Sequence, residues 1–121
     1  MRLLNDFYTI EKKISNGDEF CYKIEFNPSH KIYKAHFPNN PVTPGVCLIQ
    51  IAQELIEYEF GKPLNLFTAP NIKFRQIVKP ETTPTFILNK KLEDSLIKVI
   101  VKVVDDENLY IKMSLKFKQM D

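Results

Sequence analysis

His36 is followed by Phe37-Pro38, then by Pro41, Pro44 and Gly45, before a long apolar run begins. A histidine titrates near neutrality and can act as a general base. Pro38, Pro41 and Pro44 each fix one backbone torsion, so the segment loses little entropy when it orders. Thr43 reads as a helix N-cap with Pro44 at the first helical position. The unpaired amides of that helix start, Gly45's among them, face back toward the histidine loop. A base beside a bank of amide donors suits thioester chemistry. The base removes a proton while an amide stabilises the oxyanion. Fourteen residues beyond the histidine, where an acid would complete the set, stands Gln50. A carboxamide donates hydrogen bonds but does not titrate in this range.

Glu54 lies one helical turn beyond Gln50 on the same face. It is a candidate proton source through a water, although an interface or surface carboxylate is the plainer reading. His30, within Asn27-Pro28-Ser29-His30-Lys31, has no apolar context and reads as a solvated loop residue. Cys21 and Cys47 have no paired spacing and no histidine cluster nearby, so they read as reduced packing residues rather than metal ligands.

The elements that must position these groups follow from periodicity. Residues 7–14 alternate weakly and meet Ser15-Asn16-Gly17-Asp18, a hairpin signal. Phe20, Tyr22, Ile24 and Phe26 then alternate with polar residues as a half-buried strand. Residues 27–43 are a proline-rich loop and residues 44–60 a helix stopped by Gly61 and Pro63. Its apolar positions cover more than half its circumference, which predicts a helix wrapped by a sheet. Residues 70–79, 84–90, 96–104 and 109–118 are strand-like, the last two separated by an Asp105-Asp106-Glu107-Asn108 turn. Two strands, one helix and four strands give an α+β chain with an antiparallel sheet around one long helix. At 121 residues the expectation is a single domain spanning 1–121.

Composition excludes several classes. The chain is 44% hydrophobic and 26% charged, with a net charge of +2, too small to imply nucleic acid. No apolar run is long enough to span a bilayer, and the N-terminus lacks a signal-peptide core, so the cytoplasm is expected. Lys31, Lys34, Lys73, Arg75 and Lys79 form a modest basic set that suits an acidic partner.

The run His36-Phe37-Pro38…Pro41-Val42…Pro44-Gly45-Val46, with Ala52-Gln53 in the helix, resembles the 3-hydroxyacyl-acyl-carrier-protein dehydratases of the FabZ/FabA type. Ile72-Lys73-Phe74-Arg75…Val78…Pro80 resembles a second patch of that family. Ala35, Asn39 and Glu81-Thr82 stand where the family commonly has glycines or a Gly-Asp turn. The resemblance implies a hot-dog fold: a curled antiparallel sheet around a central helix. It also implies a dimer or higher even oligomer, with each site shared between two chains. The substrate would arrive on the 4′-phosphopantetheine of an acyl carrier protein, with no further cofactor. Carried over, His36 is the base, Gly45 the oxyanion-binding amide and Gln50 the position of the acid. Phe37, Pro44, Val46, Glu54, Phe74 and Arg75 are candidate substrate contacts, Arg75 toward a carrier-protein phosphate. Three activities compete: a dehydratase, an acyl-thioester-binding subunit that pairs with a paralogue, and a hot-dog thioesterase. The last typically needs an Asp or Glu on the helix, which Gln50 does not supply.

Overall fold

The computed structural model describes residues 2–35 and 38–119. Its elements run β1 (Tyr8–Asn16), β2 (Glu19–Phe26), α1 (Lys31–Ala35), α2 (Gly45–Phe60), β3 (Leu64–Phe74), β4 (Thr85–Glu93), β5 (Leu96–Val104) and β6 (Leu109–Gln119). The strands form one sheet in the order β1-β2-β4-β5-β6-β3, every neighbouring pair antiparallel. This is the curled sheet around one long helix that the alternation predicts. No helix of the described residues is long and apolar enough to cross a membrane.

Period-two patterning decides which face of each strand meets the helix. Phe86 and Leu88 of β4, Ile97, Val99, Val101 and Val103 of β5, and Ile111, Met113, Leu115 and Phe117 of β6 are all buried. They close over Cys47, Leu48, Ile51, Ala52, Leu55 and Ile56 of α2, which are buried as well. The helix ends where Gly61 takes a left-handed φ of 71° and its N–H reaches the carbonyl of Glu57, as a C-cap glycine does.

Three boundaries differ from the sequence reading. The first hairpin turns on Gly17-Asp18 alone, with Asn16 still paired to Glu19, because Gly17 (φ 66°) accepts the left-handed conformation with least strain. The expected loop 27–43 contains the short helix α1, whose one buried side chain is Tyr33. β3 begins at Leu64 rather than at residue 70 and stops at Phe74. Residues 75–84 carry the chain from the β3 edge across to β4, which lies on the other side of β5 and β6.

The order leaves β1 and β3 as edges. β1 is broken by a register shift between Ile10 and Lys12, which blunts it. β3 offers an edge of eleven residues, beside the exposed side chains of Phe74 and Ile77. Leu55→Ala, at a position with no exposure, is expected to cost about 2–5 kcal/mol of stability. Urea unfolding with an unchanged m-value would show the loss.

Candidate active site

The helix start that was to hold an oxyanion begins one residue later than expected. Pro44 is the N-cap, extended at φ −60° and ψ 142°, and its carbonyl accepts from the amides of Cys47 and Leu48. Thr43 does not cap the helix. Its hydroxyl lies 2.9 Å from the hydroxyl of Tyr33, and its N–H donates to the carbonyl of Val78. The amides of Gly45 and Val46 have no intrahelical acceptor to reach, and among the described residues no loop carbonyl takes them. They stand beside a groove of about 290 Å³ bounded by Val42, Leu48, Phe74 and Arg75.

Gly45 is required there by contact. A Cβ at this position would lie 2.8 Å from Cζ of Phe74 and 2.9 Å from its Cε1. The Phe74 ring therefore rests on the backbone that carries the free amide, although the side chain is 54% exposed. Val46, on the next turn position, is 67% exposed. Pro44 is half-buried. Arg75 is exposed, and its backbone N–H donates to Tyr110. Gly45, Phe74 and Arg75 thus share the groove.

His36 and Phe37 lie outside the described residues. What is described is how the chain is held on either side of them. Tyr33 is buried, stacks on Phe7 at 5.1 Å and meets Thr43 at its hydroxyl. Burial, the largest cause, pushes the Tyr33 phenol well above its ordinary range. His30, expected in solvent, is buried instead. Its Nδ1 accepts from the amide of Ile32, its Nε2 lies 3.0 Å from Oδ2 of Asp6, and Phe7 meets its ring edge-on. Because Nδ1 must accept, Nε2 carries the hydrogen and donates it to Asp6. His30 is the side-chain partner of the α1 start, not a free loop residue. The apolar context that the local sequence lacks comes from Phe7, more than twenty residues away.

Glu54 also departs from expectation. It is 2% exposed, neither a surface nor a solvent-facing group. One carboxylate oxygen accepts from the amide of Leu3 at 2.7 Å and from Nε2 of Gln50 at 2.9 Å. The other accepts from the amide of Leu4 at 2.8 Å and the hydroxyl of Tyr8 at 3.1 Å. A carboxylate can only accept, so the Gln50 amide must turn its nitrogen toward Glu54. Desolvation first, and the neighbouring Glu54 second, push the Tyr8 phenol far up its scale. Asp6, Tyr8, Tyr33 and the amides of Leu3 and Leu4 were not legible as site neighbours. The one sequence signal was the apolar Leu3-Leu4 pair ahead of β1.

The family described as ApeI-like, ApeI dehydratase, matches residues 11–114. The chain belongs to this family. A FabZ 3-hydroxyacyl-acyl-carrier-protein dehydratase of Lactobacillus helveticus is 30% identical over 87% of this chain and 76% of its own length. That of Oenococcus oeni is 26% identical over 69% and 66% respectively. Among solved structures, the dehydratase heterocomplex ApeI:P from Xenorhabdus doucetiae matches with a TM-score of 0.76 at 15% identity. That match covers 91% of this chain and 96% of the other. The fold of this ApeI-like chain is therefore the hot-dog fold, and its kin are FabZ-like dehydratases.

Two substitutions test the geometry. Gln50→Glu sets a second carboxyl within hydrogen-bond distance of Glu54, where like charge makes the pair share a proton and raises one pKa above the unfolded value. The variant is expected to lose about 1–3 kcal/mol against wild type as pH rises from 5 to 8, and to regain it on acidification. Denaturant titrations at the two pH values would read it. Gly45→Ala is expected to displace the Phe74 ring, with an altered Phe74 ring signal in NMR and only a small change in melting temperature.

Proposed function

We propose that this chain forms half of a site that interconverts a 3-hydroxyacyl thioester and its trans-2-enoyl product. The observation that carries this reading is the unpaired Gly45 amide at the start of α2, open to a groove and overlain by Phe74. An oxygen placed on that amide accepts its hydrogen bond and the field of the helix start. Charge that develops on a thioester carbonyl as the C2 proton leaves is stabilised there. His36 is the base for that proton. The C3–O bond then breaks, and the departing hydroxyl needs a proton to leave as water. Gln50 cannot give one, because an amide N–H is not an acid in this range.

Carriage of the substrate on 4′-phosphopantetheine of an acyl carrier protein belongs to the same reading, supported by the names of the FabZ relatives. So does assembly into dimers. The long β3 edge and the exposed Val46, Phe74 and Ile77 are the surface that a second chain would cover. A second reading is favoured by Gln50 and by the heteromeric ApeI:P structure. In it, this chain pairs with a paralogue whose carboxylate completes the site holding His36, while the site holding Gln50 only binds.

The test is hydration of a trans-2-enoyl thioester on a carrier protein, followed by loss of the enoyl absorbance, for wild type, His36→Ala and Gln50→Glu. Turnover by wild type that falls at least 100-fold in His36→Ala would establish a dehydratase that works without a carboxylic acid at position 50. A silent wild type that Gln50→Glu activates would establish the acid-less half-site. Release of free thiol by the wild type would overturn both in favour of a thioesterase.

A further inference from the structure

The outer face of the sheet, opposite the helix, carries lysines in register. Lys91 pairs with Lys98, and Lys98 with Lys116, giving a row across β4, β5 and β6. Lys102 pairs with Lys112, and Lys112 with Lys73, giving a second row across β5, β6 and β3. Like charges directly opposite one another destabilise a sheet, so this arrangement works against the fold. Glu93 bridges Lys98 at 3.9 Å and Lys116 at 3.8 Å in the first row. In the second row, no carboxylate among the described residues comes within 4.0 Å of Lys73, Lys102 or Lys112.

Between the rows lies a groove of about 390 Å³ whose floor includes Asn89 and Ile100, with Glu19 at its β2 end. Ser114 pairs with Ile100 across the strands and shares this face with Lys112 and Lys116. It is 9% exposed, and its Oγ has no hydrogen-bond partner. A buried hydroxyl without a partner is uncommon in a folded protein. It lies between Lys112 and Lys116 along β6, beside Ile100, but does not itself line the groove.

We propose that this face docks an acidic α-helix of a partner protein. The rows are separated by four residues along β5, about 14 Å at ~3.4 Å per residue. An α-helix with its side chains is about 10–12 Å across, so one lying between the rows brings carboxylates on its flanks to both. Its apolar stripe meets Ile87 and Ile100. A second copy of this chain does not fit, because it would set lysine rows against lysine rows. The groove, rather than a flat charged plane, favours a helix over a lipid surface. The inference is independent of the activity proposed above, since no residue of the Gly45 groove takes part.

The test titrates the full chain into a fluorescein-labelled 18-residue peptide, helical, with a leucine stripe flanked on both sides by glutamates. Micromolar binding that weakens at least tenfold between 50 and 300 mM NaCl is expected, because screening acts on exposed charge. Lys112→Glu is expected to weaken binding more than tenfold while raising the melting temperature by a few degrees. Loss of affinity then cannot be ascribed to unfolding. The proposal is overturned if the peptide fails to bind at 50 mM NaCl, or if Lys112→Glu leaves its affinity unchanged. It is equally overturned if a same-composition peptide broken by central prolines binds as well, or if phosphatidylglycerol vesicles or poly-uridylate bind more tightly.

Discussion

The Glu54 carboxylate is the constraint on which the rest of this structure depends. A charge removed from water is costly unless its lone pairs are filled. Here four donors fill them: the amides of Leu3 and Leu4, the Tyr8 hydroxyl and the Gln50 amide. Meeting that requirement brings the residues ahead of β1 onto the central helix. Once Leu3 and Leu4 are placed, Asp6 and Phe7 reach His30, and His30 in turn takes the amide at the start of α1. The same carboxylate fixes which way Gln50 points. One buried charge therefore organises the N-terminal hook, the approach to the histidine loop and the orientation of the Gln50 amide.

This ordering also explains why position 50 tolerates an amide. With Glu54 one turn away and buried, a second carboxylate at position 50 would face a like charge at hydrogen-bond distance. Glutamine removes that repulsion and supplies a donor in its place. The result is a stable interior with a neutral residue at position 50, where the proposed chemistry asks for an acid. Stability and proton supply make opposite demands on this one helical turn.

Much of the fold was legible because strand alternation and helix breadth are local signals. β5 and β6 have clean period two, Gly61 closes the helix where it should, and the histidine-proline run with its glycine pointed to the family. What was not legible depended on distant partners. Nothing near His30 announces Phe7 and Asp6, and nothing near Glu54 announces the Leu3 and Leu4 amides. Thr43 has the residue type of a cap, but the Tyr33 hydroxyl competes for its side chain and wins. The start of β3 was hidden because Asn65 and Thr68 interrupt its apolar pattern where it follows β6 with two register shifts.

The sheet order has a bearing on how the chain comes to fold. β1–β2, β4–β5 and β5–β6 are hairpins that close over short turns, but β3 waits for β6, whose pairing residues lie 37 (Phe74 to Ile111) to 55 (Leu64 to Gln119) positions further along. Until residues 109–119 have left the ribosome, β3 has no neighbour and α2 lacks one wall of its core. Non-local pairing of this kind is slow to form. A nascent chain stalled between β3 and β6 would expose an apolar helix beside an unpaired strand. β6 is thus the strand that turns a set of local hairpins into a closed structure, and chaperone demand should peak just before it emerges.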